Sequence, residues 1–293
     1  MSAQWSPVSY DGWMNNRRIV TVVTVAAFVT LCFLFSAVLI TQTHAKDPSV
    51  FIPVRTVPGK RFHFLIILGT FSTAPQVVHR AAIRNTWAST PFICSNKPSK
   101  RSRKCTVWHY FVVGNSPTLP TGESLEHKDI MFLADPENMN DGKTFDYFKR
   151  ALEMHPEADY FAKTDMDTFV DVSNLMRMLW YPMPHVYFGF ENSFFICGGI
   201  EICPKDWQYM SGQLYILGRS LVLWLANNED LHFRKGDEDL QIGRTLQLFN
   251  GPLLYYPCNR AGIRCPFIHN IKNHTQLYDI WTVTQLEAVF DYN

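Results

Sequence analysis

Two aspartates two residues apart, Asp165 and Asp167, sit in the run Ala162-Lys163-Thr164-Asp165-Met166-Asp167-Thr168-Phe169-Val170. Carboxylates at that spacing can share a hard divalent cation, and a cation held there can grip a diphosphate and offset its charge as it departs. The same pair would also serve as a capped loop or a solvated surface pair. A second acid-x-acid run, Asp237-Glu238-Asp239, occurs later and opens the stretch Glu238-Asp239-Leu240-Gln241-Ile242-Gly243, a predicted helix reaching Leu248. Acids favour a helix start for electrostatic reasons alone. A carboxylate held there beside an acceptor hydroxyl can equally act as a general base.

The elements around these acids decide between such readings. Residues 62–70 and 106–114 are apolar runs of the buried-strand type, and 129–134 is a third. Residues 76–89 read as a helix, as do 142–155, where Phe145, Phe148, Ala151 and Leu152 fall at helical spacing. Residues 160–163 form a further strand that leads straight into Asp165. Strands alternating with helices imply βαβ units and a largely parallel sheet. In open sheets of this kind ligands bind beyond the carboxyl ends of the strands, so the residues just after Lys163 are the first place to look.

Residues 19–40 carry no charge and no polar stripe. At about 1.5 Å per residue, such a length spans a hydrocarbon core of roughly 30 Å. Arg17 and Arg18 precede it and favour a cytoplasmic N-terminus. A cleaved signal peptide, with His44-Ala45 near the cleavage point, is the competing reading, although its apolar core is ordinarily shorter. The expected layout is a cytoplasmic tail at 1–18, a single-pass signal anchor at 19–40, a stem at 41–61 containing Pro48, Pro53 and Pro58, and a lumenal domain at 62–293. Cys32 lies in the span. The remaining cysteines, Cys94, Cys105, Cys197, Cys203, Cys258 and Cys265, fall beyond it in even number, as an oxidising compartment favours. Three local bridges are the natural pairing, many other connectivities are open, and buried free thiols are the alternative. Zinc lacks the ligand spacing it needs. Asn273-His274-Thr275 is a glycosylation sequon that also requires a lumenal address. Residues 97–104 are a basic loop, read as solvated surface. With 27 basic against 26 acidic side chains, the chain lacks the basic excess of a nucleic-acid binder.

Five segments in order carry a resemblance to a known family. Arg80-Ala81-Ala82-Ile83-Arg84-Asn85-Thr86-Trp87 matches R-x-x-I-R-x-T-W, and Asp141 with Lys149 matches the ends of D-x-Y-x-N-L-x-x-K. Lys163 to Val170 matches K-x-D-D-D-x-F-V, Tyr209-Met210-Ser211-Gly212 with Tyr215 matches Y-x-x-G-x-G-Y, and Glu238 to Gly243 matches E-D-V-x-x-G. Over roughly residues 62–285 the chain resembles glycosyltransferase family 31, the β-1,3-galactosyl/N-acetylglucosaminyl transferases. The resemblance implies a GT-A-type (Rossmann-like) α/β fold, with a mixed, mostly parallel sheet flanked by helices. It also implies an enzyme of the Golgi membrane, single-pass type II, with its catalytic domain in the lumen.

The resemblance carries roles residue by residue. Arg80, Arg84 and Lys163 match positions near the nucleotide and diphosphate, with surface cations or a structural ion pair as their plainer readings. Asp165 and Asp167 match the outer acids of the metal motif, and His269 is placed like a C-terminal metal-contacting histidine. Asp141 and Lys149 match donor-pocket positions, or are exposed helix residues. Asp239 matches the proposed base, with Glu238 as the alternative acid. Trp87 and Trp281 are read as core. The implied cofactor is Mn²⁺ or Mg²⁺, the donor UDP-galactose or UDP-N-acetylglucosamine, and the acceptor a glycan hydroxyl, with inversion to a β linkage. Met166 replaces a middle acid, Leu214 a usual glycine, and Gly142-Lys143-Thr144-Phe145 departs from the family's run. These departures leave room for a catalytically silent, membrane-tethered binding protein. A two-metal phosphodiesterase would need more histidines and acids than the chain offers.

Overall fold

The computed structural model describes residues 64–94, 105–118, 120–179, 181–192, 208–259 and 264–290. The predicted tail, span and stem, the basic loop at 97–104 and the cysteines Cys197 and Cys203 lie outside the described residues. Among the described residues no helix is long and apolar enough to cross a membrane.

The chain alternates strand and helix over its first half: β1 (Ile66–Phe71), α1 (Val77–Asn85), β2 (Val107–Asn115), α2 (Thr121–His127), β3 (Ile130–Pro136), α3 (Lys143–Met154) and β4 (Tyr160–Asp165). The second half adds β5 (Thr168–Val170), α4 (Val172–Met178), β6 (Val186–Asn192), β7 (Tyr209–Gly218), α5 (Arg219–Asn227), α6 (Glu238–Leu246), β8 (Leu254–Pro257), β9 (Phe267–His269) and α7 (His274–Phe290). The main sheet has the order β3-β2-β1-β4-β7-β6-β8. β1 pairs in parallel with both β2 and β4, β2 with β3, and β6 with β8, whereas β7 runs antiparallel to β4 and β6. The sheet is therefore mixed and mostly parallel.

Side chains of a strand alternate between faces, and here both faces are covered by helices, which is why β1 is buried throughout and reads as an unbroken apolar run. Ile66 and Leu68 point to a core shared with Ala82 and Ile83 of α1, Leu175 of α4 and Leu277 of α7. Ile67 and Phe71 point to the opposite core, with Phe145, Phe148 and Ala151 of α3, Leu221 and Leu225 of α5, and Ile242 and Leu246 of α6. Gly69 permits the approach of α3, because a Cβ there would lie 2.6 Å from the Tyr147 ring. The Tyr147 hydroxyl donates to the Ala162 carbonyl at 2.8 Å and so fixes α3 across β4.

The chain moves outward from β1 to β2 to β3, then returns to place β4 on the other side of β1. That reversal makes the carboxyl ends of β1 and β4, where Phe71 and Asp165 are register partners, the switch point at which open sheets of this kind bind ligands. The predicted helix at 76–89 stops at Asn85, where Thr86 leaves the helical conformation (φ −116°, ψ −117°), and a tight turn, Trp87–Ser89, follows. Trp87 is fully buried, and Trp281 packs against the same core beside Phe169. Two of the three local cysteine pairs are bridged, Cys94–Cys105 and Cys258–Cys265. The second closes the connection between β8 and β9. The sequence reading contained neither the antiparallel β6–β7 pair nor the small β5–β9 sheet.

Candidate active site

Asp165 ends β4, and the chain then turns through Met166 and Asp167 into β5. Asp171 terminates β5 and caps α4 by accepting the Asn174 N–H at 3.0 Å, so the turn is anchored directly downstream. β5 pairs with β9, and the register sets Thr168 opposite His269. The Asp167 carbonyl accepts the Ile271 N–H at 3.0 Å, which clamps the far side of the same turn. As a result His269 Nε2 lies 3.2 Å from Asp167 Oδ1. Ligand atoms of Asp165, Asp167 and His269 all fall within 4.8 Å of one another, on side chains that are each partly exposed. Two carboxylates and an imidazole form an oxygen-rich mixed set, which suits Mn²⁺ well and, through its oxygens, Mg²⁺.

On the other side of Asp165 stands Lys163, fully buried in β4. Its ammonium donates to Asp165 Oδ1 at 2.7 Å, to the Gly212 carbonyl at 2.8 Å and to Glu238 Oε1. Burial lowers the pKa of this lysine, but the carboxylates of Glu238 and Asp165 outweigh it and hold the group above its ordinary value. The second oxygen of Glu238 accepts the Thr144 hydroxyl at 2.9 Å and the Tyr215 hydroxyl at 3.0 Å. Glu238 is thus engaged on both oxygens and almost wholly buried.

Asp239, the next residue, is engaged differently. Oδ2 accepts the Gly212 N–H at 3.0 Å and Oδ1 accepts the Leu240 N–H at 2.8 Å, one of the donors left unpaired at a helix start. Each oxygen keeps a further lone pair. Burial and the neighbouring Glu238 charge push its pKa up to about 6, against the opposing pull of those N–H groups and Lys163. Gly212 joins the two halves: its N–H serves Asp239 and its carbonyl serves Lys163. A Cβ at this position would lie 2.6 Å from Glu238 Oε1, 2.9 Å from Lys163 Nζ and 3.3 Å from Asp165 Oδ2. Gly243 has a packing role, since a Cβ there would collide with Tyr209 of β7 and lift α6 off the sheet.

The structure therefore gathers Lys163, Asp165, Asp167, Glu238, Asp239 and His269 around one crevice edge. The remaining four candidates stand elsewhere. Arg80 is fully buried and forks onto Glu123 at 2.9 and 2.6 Å, with further bonds to Ser72 Oγ and the Thr73 and Ala74 carbonyls. Arg84 binds Glu123 at 2.7 Å and Asp129 at 2.7 and 2.8 Å. In this structure both guanidinium groups are spent on carboxylates; Arg80 also ties down the loop after β1 through Ser72, Thr73 and Ala74, and Arg84 joins Glu123 of α2 to Asp129. Lys149 pairs with Glu229 at 2.6 Å and Asp141 with Lys235 at 2.7 Å, all at the surface. Sequence reasoning missed Glu123 and Asp129, whose pairing is non-local, and Thr144. It also missed Lys143, which is buried after the left-handed Gly142 (φ 82°) and donates to the Ser72 carbonyl at 3.0 Å and to Glu137 at 2.5 Å. Burial lowers the pKa of Lys143, with Glu137 opposing and Lys163 adding to the depression.

Comparison with known proteins bears on what this crevice does. The family described as Galactosyltransferase matches residues 78–196. Among curated proteins, the probable beta-1,3-galactosyltransferase 8 of Arabidopsis thaliana is 25% identical over 202 residues, covering 60% of this chain and 50% of that protein. The probable beta-1,3-galactosyltransferase 3 of the same plant is 25% identical over 213 residues, covering 64% and 51%. The chain spans about half the length of the curated relatives it matches. Among solved structures, the galactosyltransferase LgtC in complex with donor and acceptor sugar analogs is 12% identical with a TM-score of 0.37, covering 65% of this chain and 73% of that one.

Proposed function

We propose, from the premise that this chain belongs to the galactosyltransferase family of the glycosyltransferase family 31 type, that it transfers galactose or N-acetylglucosamine from a UDP-sugar to a glycan hydroxyl with inversion. One observation carries this reading: Asp165 and Asp239, 74 positions apart in the sequence, meet at the same glycine, Gly212. Acids that hold a diphosphate cation and an acid that activates an alcohol must share one site, and the shared glycine supports that reading.

The chain's own groups divide the work. Asp239, ionised above a pKa of about 6, takes the proton of the acceptor hydroxyl. That oxygen attacks the anomeric carbon from the face opposite UDP, the bond to the diphosphate oxygen breaks, and the linkage formed is β. The curated relatives are named probable beta-1,3-galactosyltransferases, and on that likeness we assign a β-1,3 linkage. Asp165, Asp167 and His269 would hold Mn²⁺ or Mg²⁺, which when bound offsets the charge growing on the departing UDP. Glu238, engaged on both oxygens, serves as the anchor of α6 and leaves the proton transfer to its neighbour. We read the fold as GT-A-type and the protein as a single-pass type II protein of the Golgi membrane, anchored by 19–40.

The test is a screen of the full-length chain against UDP-galactose, UDP-N-acetylglucosamine and other UDP-hexoses with simple glycoside acceptors. Product linkage and anomeric configuration are read by NMR. A β-linked product from one of the two named donors is expected. An α-linked product, or no UDP release from any donor in the presence of Mn²⁺, refutes the assignment.

A further inference from the structure

We propose that Lys163 is a positioning residue: a buried strut that fixes the metal-side aspartate and the proton acceptor at their working separation, and not a ligand of the diphosphate. This rests on the transferase reading above and supplies the element that joins its two halves.

An ammonium has three N–H donors and no acceptor. All three are matched inside the protein, by Asp165 Oδ1, the Gly212 carbonyl and Glu238 Oε1. The side chain has no exposed surface, and the rings of Phe71 and Tyr215 flank the ammonium at 5.3 and 5.8 Å. No donor is left for a phosphate oxygen. The connections run both ways from this one nitrogen. Toward the metal side, Lys163 binds one oxygen of Asp165 and leaves the other for a cation. Toward the acceptor side it reaches Asp239 by two routes, through Gly212, whose N–H binds Asp239, and through Glu238, the preceding residue on α6. Thr144 of α3 and Tyr215 of β7 hold the other oxygen of Glu238, so the start of α6 is fixed from three elements. A flexible four-carbon stem with a compact charge suits this enclosed three-way site, where a planar guanidinium would not fit the donor geometry.

The consequence is a separation between the effects on turnover and on nucleotide affinity. Variants Lys163→Met, Glu238→Gln and the charge-balanced double variant are compared with the full-length wild-type chain. Folding is checked by circular dichroism, UDP affinity with Mn²⁺ by calorimetry, and kcat and KM by product formation across pH. Lys163→Met and the double variant should lose at least ~50-fold in kcat, while the UDP Kd changes by less than ~3-fold. Asp239 faces Glu238 on its own helix, Lys163 of β4, and the phenols of Tyr187, Tyr209 and Tyr215 on the sheet. The acidic limb of kcat/KM should therefore move to higher pH in Lys163→Met and to lower pH in Glu238→Gln, a pair of opposite shifts that loosened packing alone does not produce. A UDP Kd raised ~10-fold or more with kcat nearly unchanged overturns the proposal and makes Lys163 a diphosphate ligand. Unmoved limbs in the folded variants overturn it as well. Should Lys163→Met fail to fold, the double variant, which does not strand the Glu238 carboxylate, and Glu238→Gln decide the matter. A wild-type chain that binds UDP but forms no product refutes the transferase reading, and the positioning role falls with it.

Discussion

Replacing Asp239 by asparagine removes one charge from a site where the structure makes that charge costly. An ordinary aspartate ionises near 3.8, whereas burial and the adjacent Glu238 raise Asp239 to about 6. A shift of that size corresponds to about 3 kcal/mol between the two protonation states. The sign follows from linkage. The folded state holds the proton more tightly than the unfolded chain, so the group contributes stability below pH 4 that is lost as the pH rises through 6. At pH 7.5 the wild type bears the full cost of an ionised Asp239 and the asparagine variant does not. Asparagine keeps an acceptor for the Gly212 N–H but turns its amide toward the Leu240 N–H, giving back about 1 kcal/mol. The variant should thus be about 2 kcal/mol more stable than wild type at pH 7.5 and no more stable at pH 4, measured by urea unfolding without added metal. Its kcat/KM should fall by roughly 10²–10⁴-fold. The wild-type profile should rise with unit slope up to about pH 6 and then level, while the variant's residual rate stays flat. Turnover within a few-fold of wild type refutes the assigned base. A variant that is less stable at both pH values refutes the burial argument.

Asp167→Ala and His269→Ala should each weaken Mn²⁺-dependent UDP binding by at least ~10-fold, read by titration with and without the metal, because each removes one of three ligands. Gly212→Ala forces a methyl into contact with Glu238 and Lys163; we expect a folded protein with kcat reduced more than ~10-fold, checked by product formation beside circular dichroism. Arg80→Met removes a buried guanidinium and leaves Glu123 with Arg84 as its charged partner; the lost buried bonds should cost about 1–3 kcal/mol in urea unfolding. Cys258→Ser with Cys265→Ser frees the connection between β8 and β9, and His269 with it, so Mn²⁺ affinity should fall further than global stability does.

Much of the crevice was legible in the chain because its parts are local. The apolar run before Asp165 had to be a strand buried on both faces, and an acid pair at its carboxyl end had to lie where open sheets bind ligands. The acids at 238 and 239 announced a helix start, and α6 begins there. The roles of the cations were not legible. Arg80, Arg84 and Lys163 look alike in sequence, as basic residues beside expected ligand sites, yet their charges meet partners 43, 45 and 75 residues away. Nothing in spacing reveals whether a guanidinium will meet a phosphate or a glutamate.

Periodicity and end signals belong to segments a few turns long, so the sequence alone determined the alternation of strands and helices, the crevice edge at Asp165 and the acidic start of α6. Which side chains share that edge was decided only when non-consecutive strands paired. The antiparallel insertion of β7 beside β4 brought Gly212 to Lys163, and the pairing of β5 with β9 brought His269 to Asp167. The physical reason is that burial forces each charged group to find an opposite charge or a hydrogen-bond partner, and only the assembled sheet fixes which one is within reach.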